Sequence, residues 1–232
     1  MAEVVLQASD VSHSYEQGHP ILQDIDFSLS RGQSVAVQGP SGVGKTTLLE
    51  ILGTMRSPSE GQVLLAGEEV YKLPLGARAR LRGRKLGFVF QESLLLPDLT
   101  VWENCRLAVV LSGCRWGKEK IWQRFKELLE SLGLSTARAD SLPGQLSTGE
   151  RQRVAVVRSL MHNPVLLIAD EPTGNLDSGS SEKLMDLLLP LVEEEEAALL
   201  VATHDPVLAE SLGSVYEIQK WSGPRYRPPA ES

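Results

Sequence analysis

The sequence predicts an α/β protein built on a parallel sheet and one phosphate-binding loop. Three observations predict it. Gly39-Pro40-Ser41-Gly42-Val43-Gly44-Lys45-Thr46-Thr47 fits the pattern Gly, four residues, Gly-Lys-Ser/Thr. An apolar run (34–37) precedes it and a helix-like run (47–52) follows it, the strand–turn–helix context the pattern requires. Apolar runs at 86–90, 165–169 and 198–202 read as strands buried on both faces, with helical periodicity between them. The loop's chemistry follows from its residues. Glycines let backbone N–H groups close on phosphate oxygens, and the helix N-terminus favours an anion. Lys45 would reach the β- and γ-phosphates and the Thr46 hydroxyl would sit on Mg²⁺.

Composition sets the bounds. The chain has 232 residues, 42% hydrophobic and 23% charged, enough for one large α/β domain or a core with a smaller subdomain. A net charge of −7 argues against broad attachment to nucleic acid. The first ten residues carry Glu3 and Asp10 and no basic segment, so no secretory signal is expected. No apolar run approaches the roughly 18–20 residues of a membrane helix, so work at a membrane would go through a partner. Cys105 and Cys114 form no metal-spaced cluster and are expected to be free thiols in a reducing cytoplasm.

Taken in order, 3–8 and 25–29 read as strands with a polar turn at 16–20 between them. Tyr15, at the edge of that turn, is either a half-buried turn aromatic or a ring for an adenine base to stack on. Residues 62–67 read as a strand and turn, and the arginines from 78 to 84 as a solvated helix face. Gln91 lies just past the strand at 86–90, where ligands gather in open α/β sheets. From 92 to 145 the chain reads as helical. Ile121, Phe125, Leu128, Leu129 and Leu132 recur at helical spacing and Gly133 stops the pattern. Trp102 and Trp116 are candidates for a partner surface.

Leu146-Ser147-Thr148-Gly149-Glu150 opens the next helix, with Ser147 and Glu150 spaced as a capping box. A Ser hydroxyl and free N–H groups at a positive helix end also suit phosphate. Asp170-Glu171 ends the strand at 165–169, and paired carboxylates there suit Mg²⁺ organisation and activation of water. Asn175-Leu176-Asp177 lies in a turn-rich connection. An amphipathic helix marked by Leu184, Leu187, Leu188 and Leu191 follows, and Pro190 is expected to bend or disturb its last turn. His204, at the end of the strand at 198–202, is either structural or a γ-phosphate contact. The proline-bearing tail from 221 to 232 is expected to be poorly ordered.

In this order and spacing, these pieces resemble the ATP-binding subunit of ABC transporters over about residues 1–220. The resemblance implies a P-loop NTPase with a RecA-like parallel-sheet core, an N-terminal antiparallel β subdomain and an inserted α-helical subdomain at about 92–162. It makes Tyr15 the adenine-stacking residue and Gln91 a sensor of Mg²⁺ and water that faces the membrane partner. Asp170 would hold Mg²⁺ through water, Glu171 would be the general base, and His204 would contact the γ-phosphate. Asp177 would communicate with the opposite subunit. It further implies a head-to-tail dimer, or an equivalent second ATPase subunit, with ATP between one copy's loop and the other's Ser147 and Gly149. An integral-membrane permease would hold the pair on the cytoplasmic face of the membrane.

The strings at 94–100, 103–104, 149–153 and 169–177 are similar to the subgroup serving lipoprotein release and macrolide-type export. The cell-division ATPase is a relative of that subgroup, so an ATP-gated adaptor and an exporter of drugs or peptides are competing readings. A soluble ATPase without a membrane partner is a third. One departure stands out. The family usually has Gly where this chain has Thr148, and a β-branched side chain there is expected to slow dimer closure or turnover.

Overall fold

The computed structural model describes residues 3–15 and 20–218. The turn expected at 16–19 and the tail at 221–232 lie outside the described residues. In chain order the elements are β1 (Val4–Ser14), β2 (Pro20–Ser30), β3 (Ser34–Gln38), α1 (Lys45–Leu52), β4 (Glu60–Leu65), β5 (Glu68–Glu69), α2 (Leu75–Lys85) and β6 (Leu86–Val89). There follow α3 (Val101–Ser112), α4 (Lys118–Ser131), α5 (Thr148–Leu160), β7 (Leu166–Asp170), α6 (Ser178–Glu194), β8 (Ala198–Ala202), α7 (Pro206–Ser211) and β9 (Val215–Glu217). The chain divides into two compact units, 1–79 with 198–232, and 80–197.

The first unit holds an antiparallel sheet in the order β2-β1-β4-β5. β1 alternates buried and exposed residues along most of its length, the pattern of a strand with one face on a core. β3 lies between β8 and β9, parallel to both, with Val37 opposite Ala202 and Tyr216. All five residues of β8 are buried, which is why its sequence is an unbroken apolar run. Tyr216 sets its ring edge-on to Phe27, tying β9 to β2.

In the second unit β6 and β7 run parallel, Val89 opposite Ala169. α5 is the central helix, packed by α3, α4, α6 and β6. The periodic positions of α4 are buried as the spacing predicts. Its end closes on Gly133, whose amide bonds to Glu130 O while that of Leu134 bonds to Leu129 O. Pro190 does not stop α6, which continues to Glu194, and Glu195 N closes the end on Leu191 O. Leu188, Leu191 and Val192 are buried, and that packing carries the helix past the hydrogen bond a proline cannot make. Both cysteines are free thiols, Cys105 buried and Cys114 half-buried.

Candidate active site

In the first unit the loop 39–44 leaves the carboxyl end of β3 and delivers Lys45 as the first residue of α1. Gly44 caps that helix with φ 109°, a conformation that strains any residue with a Cβ, and a Cβ there would fall 2.7 Å from Ile21 Cγ2. Lys45 is 7% exposed and its ammonium donates to Gly39 O at 2.8 Å and Pro40 O at 3.4 Å. The cation is thus held inside the curve of the loop. Thr47 is buried, whereas the side chain of Thr46 is exposed.

The Tyr15 hydroxyl lies 3.0 Å from Thr47 Oγ1, tying the ring to α1. The Arg56 guanidinium stacks over the ring at 4.8 Å, His13 meets its edge, and Tyr15 remains 54% exposed. His204 follows β8, whose parallel pairing with β3 sets both strand ends on the same side. Its neighbour Thr203 is fixed, with its amide bonded to Val37 O and its hydroxyl accepting from Asp205 N. The loop, Tyr15 and His204 therefore belong to one unit.

The second unit gathers the remaining candidates. The register of β6 and β7 brings Gln91 and Asp170-Glu171 to the carboxyl ends of neighbouring strands. Glu171 has φ 47°, a left-handed conformation rare outside glycine, and its carbonyl accepts from Gly174 N at 3.0 Å to close a turn. Gln91 and Asn175 are joined twice. Gln91 Nε2 donates to Asn175 Oδ1 at 3.4 Å, and Asn175 Nδ2 donates to Gln91 O at 3.2 Å. A Cβ on Gly174 would lie 2.9 Å from Gln91 Nε2, so a larger residue there would press on the end of the Gln91 side chain. Asp177 caps α6, accepting from Ser180 N and Ser180 Oγ, and these bonds hold its carboxyl below the usual range.

Ser147 caps α5 and forms the predicted box with Glu150. Its oxygen accepts from Glu150 N at 3.2 Å, which leaves the hydroxyl proton available on an exposed side chain. Glu150 returns a bond to Ser147 N at 2.9 Å, and that bond is the main reason its carboxyl titrates low. Thr148 Oγ1 accepts from Arg151 Nη2 at 3.0 Å, while Arg151 Nη1 donates to Leu146 O at 2.6 Å. The departing residue is therefore built into the first turn of the helix.

A family model described as "ABC transporter" matches residues 22–174. The chain belongs to that family. It is 42% identical over 212 residues to the lipoprotein-releasing system ATP-binding protein LolD of Shewanella oneidensis, covering 90% of this chain and 91% of that protein. LolD 1 of Rhodopirellula baltica is also 42% identical, covering 92% of this chain and 93% of that one. Among solved structures, a dimeric ATP-binding cassette bound to ADP and Pi matches with a TM-score of 0.83 and 34% identity over 92% of this chain and 94% of that one. CbiO1 of Clostridium perfringens, part of an ABC transporter complex, matches with a TM-score of 0.81 and 27% identity, covering 94% and 85%. As a member of this family the chain is an ATP-binding and ATP-hydrolysing subunit. Among the described residues, no helix is long and apolar enough to cross a membrane.

The structural role of three residues of this ABC subunit was not legible in the sequence. Asn104, Gln152 and Arg158 hold the segment after β6 by its backbone. Asn104 Nδ2 donates to the carbonyls of Leu96, Leu99 and Thr100, Gln152 to that of Phe90, and Arg158 to those of Ser93 and Leu94. Carbonyl partners leave no side-chain pattern in a sequence. Burial of a polar residue on an otherwise apolar helix face was the one available signal.

Proposed function

We propose that this chain powers a lipoprotein-release-type ABC transporter, hydrolysing ATP with Mg²⁺ as one copy of a head-to-tail dimer on a separate membrane permease. The observation that carries the reading is the 42% identity to lipoprotein-releasing ATP-binding proteins across nine-tenths of both chains. In this reading Gly39 to Thr47 wrap the phosphates and Tyr15 stacks the base. Thr46 and Asp170, with the Gln91 amide, supply hard oxygen donors of the kind Mg²⁺ takes. Among the described residues no group of three or more His, Cys, Asp or Glu could cage a metal alone. That suits an ion completed by phosphate oxygens. Bound Mg²⁺ would neutralise developing phosphate charge. Glu171 takes the proton of the attacking water, and His204 holds the γ-phosphate.

Ser147 and Gly149 serve the nucleotide of the other copy. Within this chain a Cβ on Gly149 would meet Arg153 Nη1 at 3.5 Å, an ordinary contact, so nothing in the chain itself demands glycine. The approach of a second molecule would. For the permease we assign the cavity of about 700 Å³ between α3 and α4, lined by Trp102, Trp116 and Trp122 together with Arg106, Lys118 and Glu119. Three tryptophans with two cationic side chains against one carboxylate, on a chain of net charge −7, suit an apolar helix of the permease that carries acidic residues. A cytoplasmic, peripheral location follows from such docking.

Glu171→Gln tests the chemistry. It should keep ATP binding, accumulate an ATP-bound dimer in sedimentation and lose about a hundredfold or more of hydrolysis, the scale of general-base catalysis. Hydrolysis near the parent rate would overturn the assignment of the base. A pull-down through the chain that yields a cell-division complex and no transport permease would favour the adaptor reading.

A further inference from the structure

Helix α1 starts in the phosphate loop at Lys45 and carries Thr47 and Glu50, three positions apart and so on one face. Both residues serve Tyr15. Thr47 Oγ1 lies 3.0 Å from the Tyr15 hydroxyl. Glu50 Oε2 accepts from Arg56 Nε at 2.6 Å, and the Arg56 guanidinium lies over the Tyr15 ring, 4.8 Å from its centroid. The helix that presents the phosphate-binding lysine therefore holds the ring twice, at its hydroxyl directly and on one face through Arg56.

Arg56 reaches the ring from a fixed backbone. Its amide donates to Glu50 O at 3.1 Å and its carbonyl accepts from the Tyr71 hydroxyl. The segment then runs into β4, which pairs with β1, and Ser59 Oγ accepts from Ser14 N at 3.2 Å beside Tyr15. His13, 8% exposed, meets the ring edge, and among the described residues neither of its ring nitrogens has a hydrogen-bond partner. With a guanidinium on one face and an imidazole at the edge, a base has the opposite face to stack on. A planar guanidinium suits this place, because it lies flat on a ring while its N–H still serves a carboxylate. A ring already held costs less ordering when a ligand stacks on it.

We propose that Arg56, aligned by Glu50, is a positioning residue for the nucleotide base: it sets the Tyr15 ring on which the base stacks, and α1 thereby fixes the spacing between base platform and phosphate loop. The proposal rests on the stacking role assigned to Tyr15 above, and it separates the base from the phosphates experimentally.

The experiment is calorimetric titration of the full chain with Mg²⁺ and either ADP or inorganic pyrophosphate, which has phosphates and no base. Arg56→Met should weaken ADP binding about threefold to fivefold, the scale of one exposed cation–π contact, and leave pyrophosphate at the parent value. Arg56→Lys should keep only part of the ADP affinity, since an ammonium cannot both lie flat on the ring and hold Glu50. In a Tyr15→Ala background, Arg56→Met should cost nothing further. Equal weakening of ADP and pyrophosphate overturns the proposal, because the loss then lies in the phosphate loop. Unchanged ADP binding overturns it, as does a loss that adds in full to that of Tyr15→Ala. Tighter ADP binding overturns it too, because the guanidinium would then be occupying the base's own face. Should Arg56→Met fail to fold by circular dichroism, Arg56→Lys decides by the same comparison, and parent-like ADP affinity overturns the proposal. Tyr15→Ala with parent-like ADP binding overturns the stacking role of Tyr15 and the proposal with it.

Discussion

Asn104→Ala should destabilise the second unit by about 3 kcal/mol, an amount worked from its contacts. Asn104 is 1% exposed. Its side-chain oxygen accepts from Leu96 N at 2.8 Å, and its amide donates to Leu96 O, Leu99 O and Thr100 O at 3.1, 2.9 and 3.0 Å. Two amide protons shared among three carbonyls count as two bonds, so three bonds are lost in all. Each is worth about 1 kcal/mol net, and more wherever a buried partner is left unsatisfied. Against a total of about 5–15 kcal/mol this is a large share. Urea unfolding followed by tryptophan fluorescence is the assay, since Trp102, on the same helix, meets Trp122 edge-on and Phe125 at a tilt. Glu127→Ala, on an exposed turn of α4, is the control. A loss no larger than the control's would refute the view that side chains hold the segment 91–100 in place.

Thr148→Gly frees Arg151 of one bond, about 1 kcal/mol, and steady-state ATPase should rise about fivefold; an unchanged rate would sink the idea that Thr148 slows turnover. Tyr15→Ala should raise the KM for ATP about tenfold with kcat nearly kept, while Tyr15→Phe keeps the stack and loses only the Thr47 bond; equal KM for all three chains would return Tyr15 to a turn aromatic. Burial holds His162 below its usual 6.5, with the Arg124 charge adding to it and the Leu86 carbonyl opposing it. Burial, with the Arg56 charge, does the same to His13. Below pH 6.5 the unfolded chain binds protons that the fold refuses, so stability is complete above that pH and falls as pH drops. The urea midpoint should decline from about pH 7.5 to about pH 5.5, and His162→Gln should flatten the slope; a midpoint that rises on acidification would refute the sign.

The phosphate loop and the Ser147–Glu150 box were legible because each is a local pattern with a local cause. Strands β6, β7 and β8 announced themselves as apolar runs because both faces are covered. Pro190 did not end α6, which runs on to Glu194 with Leu188, Leu191 and Val192 buried along it. Tyr15 could not be decided from its own residue, and only its bond to Thr47 and the arginine over its ring place it beside the loop's helix. The roles of Asn104, Gln152 and Arg158 were invisible for a different reason. Their partners are main-chain carbonyls, which every residue has.

Gly174 shows that empty volume can carry information. The space its missing side chain leaves is occupied by the Gln91 amide. Any larger residue would press on the end of the Gln91 side chain and shift it without altering Gln91 or Asn175 themselves. The same consequence reaches natural variation. An alanine at 174 reads as a mild change in a turn, yet it edits a polar group on a different strand's exit, so the fidelity of that group is recorded at a position with no chemistry of its own.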